Sequence, residues 1–466
     1  MSQIKVRNYQ SEARHEFLWN LIVCLPVLAA AMYLLPDSGS IGHRNMLAMF
    51  IADGVLTMAF MYLLEKYSIT QSGLYESIVI TVLSSIYTFV IVCAVNLFFF
   101  MQSEKLYADI GVMAAKIILI SLSDVILHKS FENEKWYHKP TLLIIGSTDN
   151  NFFRMKRIKY GVLEKYDAWY ENICDIKGDE LKKFAQEKFL HYDAICILDG
   201  VENDEYHIAV NIATEYNKNL FIVPQMVDVG KTNARIVRFD DVLTLYMPQK
   251  LLTASDFFLK RAVDIAVALV GFVLACIPMA VISIAIMLTS PGPVFYKQLR
   301  LTKDKKEFYI YKFRTMIPDA EKLSGPKFAE KDDPRITPIG KFLRACRLDE
   351  LPQILNILKG DMSVVGPRPE RPVFVQQFEQ EIENYDYRFA VKAGLTSLSH
   401  VYGRYSTYIH DRTYYDLFYI THYSLFLDFK IILLTTKTLF LKSAAEGEDD
   451  FKEKTVAQAT GEVKSN

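Results

Sequence analysis

Four long apolar runs near the start of the chain constrain its fold more than any other feature. They span residues 17–35, 46–64, 78–101 and 110–127. Each is close to the roughly 20 residues that an α-helix needs to cross a bilayer. The basic residues before the first run resemble those of a signal peptide, but three more runs follow, which favours a retained anchor. The sequence therefore predicts a four-helix transmembrane bundle over residues 17–127.

The distribution of Lys and Arg predicts how this bundle is oriented. The N-terminal tail, residues 1–16, carries three basic residues, and the segment "HKSFENEKWYHK" after the fourth run carries three more. The 36–45 and 102–109 loops carry one each. Because cytoplasmic loops are enriched in Lys and Arg, both ends of the bundle are expected in the cytoplasm.

Two of the runs contain charged residues at a similar depth. Asp53 is the eighth residue of the second run and Lys116 the seventh of the fourth, and these two runs cross in the same direction. Charges inside a membrane are costly and usually find partners. We therefore expect a structural contact between Asp53 and Lys116. The alternative pairs Lys116 with Asp124, two turns further along its own helix.

Three short apolar stretches, each consistent with a buried strand, follow the membrane runs. They are "TLLIIG" (141–146), "AICILDG" (194–200) and "LFIVPQ" (220–225), with helix-like segments between them. This alternation predicts a small Rossmann-like parallel α/β domain over residues 140–230. The sequence after its first strand, "IIGSTDNN", lacks two of the three glycines of GxGxxG, which favours a structural or regulatory role over dinucleotide binding. Residues 231–255 are predicted to be a linker.

A fifth apolar run, residues 263–288, carries Pro278 near its middle and basic residues on both sides. Basic flanks predict that both ends face the cytoplasm. Proline removes a helix hydrogen bond and kinks the helix, so the run could enter one leaflet and turn back. We expect a re-entrant helix broken at Pro278, and an ordinary kinked crossing is the alternative.

The stretch "RLDELPQILNILKG" (347–360) combines two adjacent carboxylates with an amphipathic helix pattern. Four apolar residues have the i, i+3, i+4, i+7 spacing of one helix face: Leu351, Ile354, Leu355 and Leu358. They predict a helix that ends at Gly360, with Asp349 and Glu350 at its N-terminus, where the dipole favours negative charge. Without the surrounding motifs, the same pattern would be consistent with Asp349 as an N-cap and Glu350 as a surface residue.

Basic residues surround this stretch in the sequence. Residues 297–347 carry fourteen Lys or Arg against seven Asp or Glu, which suits anionic head groups or phosphorylated substrates as well as a solvated charged face. Lys312 and Arg314 lie in "YKFRTM", and Arg368 lies between two prolines. Arginine binds phosphate through paired donors, and Mg²⁺ binds carboxylate and phosphate oxygens. A carboxylate can also act as a nucleophile.

Other features narrow the possibilities. The formal net charge is -1, which argues against bulk nucleic-acid binding. The six cysteines are scattered without CxxC spacing and are expected to be reduced packing residues. The tail over residues 443–466 is polar and acidic, and it is predicted to be disordered.

Several stretches together resemble the bacterial sugar transferases, in the large multidomain form of the monotopic phosphoglycosyl transferases. They are "SPGPVFYKQLR" (290–300), "YKFRTM" (311–316), "RLDELPQILNILKGDMSVVGPRP" (347–369), "AGLTSLSHVYGR" (393–404), "YDLFYI" (415–420) and "SLFLDFKI" (424–431). The resemblance implies a mostly helical monotopic catalytic domain over residues 256–442, with the re-entrant helix at 263–288. The membrane block and the α/β domain upstream also look like the large form.

The resemblance implies a reaction and its residues. A sugar-1-phosphate, from UDP-glucose or UDP-galactose, would move to undecaprenyl phosphate with release of UMP, as the first membrane step of polysaccharide synthesis. Asp349 would be the nucleophile and Glu350 a Mg²⁺ ligand. The remaining site residues would hold substrate phosphates or the nucleotide: Lys312, Arg314, Arg368 and Asp416.

The resemblance also implies location and partners. The protein is expected in the bacterial inner membrane, with its soluble and catalytic domains facing the cytoplasm. The expected partners are the UDP-sugar, undecaprenyl phosphate, membrane lipids and other polysaccharide-assembly proteins, without nucleic acid. A homodimer is left open.

The sequence departs from the family pattern at three positions. Ile277 precedes Pro278, where the family usually has serine, and Ser397 and His400 replace a glycine and a glutamine. Two other functions are left open: a catalytically inactive scaffold of a polysaccharide-assembly complex, and a membrane-anchored nucleotide-sugar epimerase or dehydratase. The second would need a Tyr-xxx-Lys pair, which "YGVLEKY" (160–166) does not supply.

Overall fold

The computed structural model of this 466-residue chain divides into two compact units, Met1–Asp228 and Val229–Asn466. The structure describes residues 5–6, 13–14, 16–23, 43–68, 73–95, 106–133, 137–138, 140–146, 166–173, 175–198, 201–224, 235–239, 242–246, 253–317, 335–382, 384–403 and 409–440. The predicted tail, 443–466, lies outside these residues.

The first unit contains the apolar helices that the sequence predicts. They are α1 (His43–Leu63), α2 (Gly73–Val95) and α3 (Leu106–Asn133). Within the described residues, Gly73–Val95 and Ile110–Lys129 are long and apolar enough to cross a membrane, and Ile51–Leu63 is apolar but shorter. The chain is therefore associated with a membrane. Only residues 17–23 of the first apolar run are described, and they are helical, so the bundle of four transmembrane helices stays a prediction.

Two buried ion pairs connect α3 with α1 and with the turn that follows α1. Lys116 Nζ lies 2.8 Å from both carboxylate oxygens of Asp53 and donates to Thr57 Oγ1 at 3.2 Å. The predicted Asp53–Lys116 contact is therefore confirmed. The alternative pairing with Asp124 is wrong, because Asp124 accepts from Lys66 at 2.8 Å.

The α/β domain follows in the same unit. Its elements are β3 (Thr141–Gly146), β4 (Asp167–Asn172), α4 (Gly178–Lys188), β5 (Ala194–Ile197), α5 (Asn203–Glu215) and β6 (Asn219–Ile222), after a two-residue pair of β1 (Lys5–Val6) with β2 (Tyr137–His138). The four longer strands are parallel, in the order β4-β3-β5-β6. The predicted parallel domain is present, with one strand, β4, that the sequence did not indicate.

Gly146 at the end of β3 has a packing explanation. A Cβ atom built on it would lie 2.9 Å from the Cβ of Leu198, so only glycine fits beside this neighbour. The glycine thus does not by itself indicate a nucleotide. The rest of the loop that was considered for dinucleotide binding, residues 147–150, lies outside the described residues.

The second unit begins with a hairpin and contains most of the remaining helices. The hairpin strands, β7 (Arg235–Phe239) and β8 (Val242–Tyr246), lie in the predicted linker. The later elements are α6 (Ala254–Thr289), β9 (Phe295–Leu301), β10 (Glu307–Phe313), α7 (Pro338–Ala345), α8 (Gln353–Lys359), β11 (Ser363–Val365), α9 (Pro372–Glu381), β12 (Gly394–Thr396), α10 (Leu398–Tyr402), α11 (Ile409–Thr421) and α12 (Leu425–Phe440). β9 and β10 are antiparallel, and β11 and β12 are parallel.

Helix α6 is continuous over 36 residues and includes Pro278. The predicted break is therefore not an interruption of the helix. One stripe of α6 is buried along its length, at intervals of three, four or seven residues: Lys260, Asp264, Ala268, Ala275, Met279, Ile282 and Ile286. Outside that stripe, large apolar side chains such as Leu274 (73% exposed) and Leu288 (81% exposed) face away from the protein.

Both ends of α6 are bound to the same unit. Near the start, Lys260 Nζ lies 2.7 Å from Asp428 Oδ2, and Arg261 donates to the backbone oxygen of Ile357 at 2.6 Å. Beyond the other end, the carbonyl oxygens of Ser290 and Pro291 accept hydrogen bonds from one arginine side chain. The helix therefore lies along its own folded unit and does not project from it.

Candidate active site

The two adjacent carboxylates lie on a turn and not on a helix. Asp349 and Glu350 belong to the 3-10 turn Leu348–Glu350, and the N-cap of α8 is Pro352. The reading of Asp349 as the N-cap of this helix is therefore wrong. Because α8 starts at residue 353 and has only seven residues, its dipole is a weaker influence on the carboxylates than the sequence suggested. Their charge environment comes mainly from side chains.

Glu350 is the most strongly paired carboxylate of the turn. Its Oε1 lies 2.7 Å from Lys312 Nζ and 3.4 Å from Arg368 Nη2. Burial alone would raise the pKa of Glu350, but Lys312 and Arg368 hold it well below its usual range. Glu350 is therefore ionised at neutral pH. The structure thus brings three sequence-predicted site residues together.

Asp349 has a different electrostatic environment. Burial, followed by the neighbouring Glu350 carboxylate, raises the pKa of Asp349, and Lys312 and Arg344 lower it in part. The Arg344 guanidinium is fixed by a hydrogen bond from its Nε to Thr315 Oγ1 at 2.9 Å. A partly desolvated carboxylate is a better nucleophile than a solvated one, provided that nearby cations keep it ionised.

Lys312 is held opposite the carboxylates by a buried amide. It lies on β10, next to Tyr311, whose backbone N–H donates to Asn356 Oδ1 at 3.0 Å. The Asn356 amide in turn donates to the backbone oxygen of Tyr309 at 2.8 Å. Because Asn356 is on α8, these bonds connect β10 to α8. The sequence did not single out Asn356, since its position on the inner helix face looks like an ordinary core position.

Arg368 is positioned by a second buried arginine. The backbone oxygen of Arg368 accepts from Arg388 Nη2 at 2.9 Å, and the same Nη2 lies 2.8 Å from Asp416 Oδ2. Burial would lower the pKa of Arg388, but the Asp416 carboxylate raises it above its usual value. Among the contacts described, Asp416 is therefore connected to Arg368 only indirectly, through Arg388.

Two residues that the sequence did not predict as site residues, Arg347 and His400, lie next to Arg368. His400 Nε2 lies 2.9 Å from Arg347 Nη1 and 3.0 Å from Arg368 Nη1. Since both arginine groups are donors, this nitrogen is the acceptor. Burial, followed by the positive charge of Arg368, lowers the pKa of His400 to about 3, so the imidazole is neutral. The departure from the family pattern at residue 400 was the only sequence signal for this contact.

Arg314 lies at a different position from Lys312, although they are close in sequence. Its Nη1 and Nη2 donate to the backbone oxygens of Pro291 and Ser290 at 2.8 and 2.7 Å. These bonds fix the turn that follows α6. The contacts described for Arg314 do not reach Glu350, and a phosphate-binding role for it stays a prediction.

The described residues contain no group of three or more His, Cys, Asp or Glu side chains that could hold a metal. Among the contacts described, Lys312 lies 2.7 Å from Glu350 and also acts on the charge of the adjacent Asp349. Mg²⁺ is often bound by one or two carboxylates together with substrate phosphates and water. This pair therefore suits a metal that arrives with its substrate better than a permanent metal centre.

The second unit matches a known family, and several curated proteins are similar to the chain. The model of the bacterial sugar transferase family matches residues 255–442. A UDP-N-acetylgalactosamine-undecaprenyl-phosphate N-acetylgalactosaminephosphotransferase of Aeromonas hydrophila is 42% identical over 185 residues, which is 39% of this chain and 44% of that protein. The chain thus aligns with less than half of that relative.

Two further relatives extend the comparison. A putative undecaprenyl-phosphate N-acetylgalactosaminyl 1-phosphate transferase of Bacillus subtilis is 52% identical over 136 residues, 29% of this chain and 75% of that protein. A galactosyl transferase of Streptococcus agalactiae is 28% identical over 407 residues, 84% of this chain and 87% of that protein. The family match covers the carboxylate turn, and the similarity to the Streptococcus protein covers most of the chain at lower identity. From the family match and the Bacillus relative, the chain belongs to the bacterial sugar transferase family.

Proposed function

We propose that this protein transfers a sugar-1-phosphate from a UDP-sugar to undecaprenyl phosphate and releases UMP. The observation that carries the proposal is the grouping of Asp349 with an ionised Glu350, Lys312 and Arg368. A carboxylate nucleophile beside cations suits attack on a diphosphate, whose negative charge must be offset. The names of the relatives, which include glucose-1-phosphate and galactose phosphotransferases acting on undecaprenyl phosphate, support the same reaction class.

In the first step, a carboxylate oxygen of Asp349 attacks the phosphorus that carries the sugar. The bond between this phosphorus and the bridging oxygen breaks, and UMP leaves with that oxygen. The sugar-phosphate is then held on Asp349 as an acyl phosphate. Lys312 and Arg368 offset the charge that accumulates on the phosphoryl oxygens during attack.

In the second step, a phosphate oxygen of undecaprenyl phosphate attacks the acyl phosphate. The bond between phosphorus and Asp349 breaks, so the carboxylate is regenerated and the lipid carries a diphosphate-linked sugar. The two steps share one site and one covalent intermediate on Asp349. The scheme therefore predicts ping-pong kinetics.

We propose Mg²⁺ as the cofactor, held by Glu350 and substrate oxygens. When bound, the metal would offset charge on the diphosphate and stabilise the leaving UMP. Lys312 keeps Glu350 ionised and oriented, and thereby keeps a ligand available.

We infer that α6 enters the membrane and returns to the same side. Its two ends are held by one folded unit, through Lys260 and the Ser290–Pro291 carbonyls, which supports a common side for both. The exposed apolar face of α6, with Leu274 and Ile277 each 73% exposed, would lie in lipid. Pro278 lies in this face and would bend the helix without interrupting it. The site would then face the cytoplasm of a bacterial inner membrane, where UDP-sugars are found.

The relatives' names span more than one sugar, so several donors need testing. We propose a hexose donor, with UDP-glucose and UDP-galactose as first candidates and UDP-N-acetylgalactosamine as the donor named for a relative. Membrane lipids and other polysaccharide-assembly proteins would be its partners.

The direct test is UMP release by the full-length protein in detergent, with undecaprenyl phosphate, Mg²⁺ and each UDP-sugar in turn. The proposal expects UMP and a lipid-linked sugar from at least one donor. An epimerase or dehydratase would change the sugar without releasing UMP, and an inactive scaffold would do neither. Either of these results would contradict the proposal.

A further inference from the structure

We propose that His400 is a positioning residue that holds Arg347 and Arg368 together as a two-arginine clamp for the diphosphate of the donor. This inference rests on the proposed function and adds residues to its site. Arg347 would touch the diphosphate directly, whereas His400 would act through the two arginines.

The clamp is built on one shared acceptor. His400 Nε2 is 2.9 Å from Arg347 Nη1 and 3.0 Å from Arg368 Nη1. Two guanidinium groups this close repel each other, and the repulsion is larger in a partly buried site than in water. A neutral acceptor between them offsets that repulsion. Without it, the two side chains would separate.

The clamp lies beside the carboxylate turn. Arg368 Nη2 reaches Glu350 Oε1 at 3.4 Å, and Arg347 immediately precedes the Leu348–Glu350 turn. A guanidinium presents five donors in a planar fork, so a bond to His400 fixes its direction while other donors of the fork can bind phosphate oxygens. A diphosphate placed for attack by Asp349 would therefore be within reach of both arginines.

Both ends of the Arg347–His400 contact are fixed by the backbone. Arg347 has a positive φ of 55°, in the left-handed region that non-glycine residues adopt rarely and that is often found at functional sites. The backbone N–H of His400 donates to Ser397 Oγ at 3.0 Å, which caps the short helix α10. Ser397 and His400, two of the departures from the family pattern, thus belong to one local arrangement.

The family pattern offers a natural replacement. Glutamine, which the resemblance leads one to expect at this position, has a carbonyl oxygen with two lone pairs and can accept from both arginines. Methionine has similar length and no comparable acceptor. Comparing His400→Gln with His400→Met therefore distinguishes the effect of the hydrogen-bond acceptor from the effect of side-chain size.

The experiment measures UDP binding by calorimetry and UMP release kinetics on the full-length protein in detergent. We expect His400→Met to weaken UDP binding about tenfold and to raise KM for the UDP-sugar more than it lowers kcat, because the clamp acts on the diphosphate in the ground state. We expect His400→Gln to stay within about threefold of the unmodified protein in both measurements. The control is His191→Met, at an exposed histidine of the α/β domain, which should change neither.

A second variant covers the case in which His400→Met does not fold. Arg347→Gln lies at the partly exposed end of the clamp, and we expect it to weaken UDP binding about tenfold. The double variant Arg347→Gln with His400→Met should be little worse than either single one, because both remove the same clamp. The proposal would be overturned by any one of three results. The first is normal UDP binding by Arg347→Gln, and the second is an equal loss of UDP binding in His400→Gln and His400→Met. The third is a double variant whose loss is the product of the two single losses.

These results are distinguishable from a failure of the proposed function. If the unmodified protein released no UMP with any donor, the transferase proposal would fail, while UDP binding would still test the clamp. If the protein released UMP but UDP binding were the same in all variants, the clamp alone would be wrong.

Discussion

At the scale of single residues, the candidate site is a set of charges that keep each other in a fixed ionisation state. Lys312 and Arg368 keep Glu350 ionised, and two arginines share the neutral ring of His400. Asp416 and Arg314 contribute from outside this set, through Arg388 and through the turn after α6. The residues nearest the chemistry are thus supported by a second group of buried polar contacts.

The buried neutral His400 predicts a pH dependence of stability. Its pKa is lowered to about 3 by burial and by Arg368, whereas an unfolded histidine titrates near 6.5. As pH falls below 6.5, the unfolded state takes up a proton that the folded state does not, so stability is lost on acidification. The loss should reach about 2 kcal/mol at pH 5.

The measurement compares thermal unfolding of the unmodified protein and His400→Gln at pH 8 and pH 5 in detergent. Glutamine does not titrate, so the variant should lose less stability than the unmodified protein over this range. Equal losses in the two proteins would mean that His400 is protonated in the folded state or that its burial is not maintained.

The sequence could predict the residues of this site better than their contacts. Asp349, Glu350, Lys312 and Arg368 were all predicted, because they lie in motifs whose chemistry is recognisable. The Arg347–His400 contact joins residues 53 positions apart, and neither side chain has a distinctive local pattern. Arg314 shows the converse: it lies in the same motif as Lys312, but β10 ends at Phe313 and the Arg314 side chain bonds to the turn after α6.

At the scale of elements, the membrane helices are connected by charge as well as by apolar contact. The Lys116–Asp53 and Lys66–Asp124 pairs each have an N–O distance of 2.8 Å and are almost completely buried. Isolated charges in such an environment are costly, so the pairs fix which helix faces meet. The Asp53–Lys116 pair could be predicted from the sequence, because both residues lie at a similar depth in their apolar runs.

Breaking one pair should destabilise the bundle. Lys116→Met leaves the Asp53 carboxylate buried without its cation, and we expect a loss of about 3 kcal/mol in the free energy of unfolding. The double variant Asp53→Asn with Lys116→Met should recover most of that loss, because no charge remains to be compensated. The measurement is thermal unfolding in detergent.

A matched control is Lys129→Met, at an exposed position near the end of α3, which should leave stability almost unchanged. The structural role of the pair would be disproved by Lys116→Met behaving like this control. A double variant that is less stable than the single one would also disagree with the account.

Other elements were predictable to different degrees. Strands β3, β5 and β6 are short apolar runs and were found by pattern. Strand β4, "DAWYEN", is only partly buried at an edge of the sheet, and its mixed polar sequence has no strand period. The carboxylate turn was expected at a helix N-terminus, but Pro352 and the preceding 3-10 turn delay the helix to residue 353.

At the scale of the whole molecule, the proposed re-entrant course of α6 decides on which side of the membrane the site lies. The apolar run and its basic flanks predicted a return to the same side, and the burial of one α6 stripe by the second unit supports it. The continuity of the helix through Pro278 could not be predicted, because proline can either end a helix or bend it.

The orientation can be tested by cysteine labelling in intact cells, using a background without the six native cysteines. Exposed positions before and after the helix are Ser255→Cys and Lys306→Cys. Both should react with a membrane-impermeant reagent only after the cells are opened, because both are expected in the cytoplasm. Labelling of one position from outside the cell and the other from inside would establish a complete crossing and contradict the re-entrant arrangement.

The measurement that tests the central claim most directly is UMP release in the absence of lipid acceptor. If Asp349 forms the covalent intermediate, the protein should release a burst of about one UMP per active site and then stop, because the acyl phosphate awaits the lipid. Asp349→Asn preserves the shape of the side chain but not the nucleophile, so it should fold normally and give no burst. Near-normal turnover by Asp349→Asn, or UMP release only when both substrates are bound, would contradict the account.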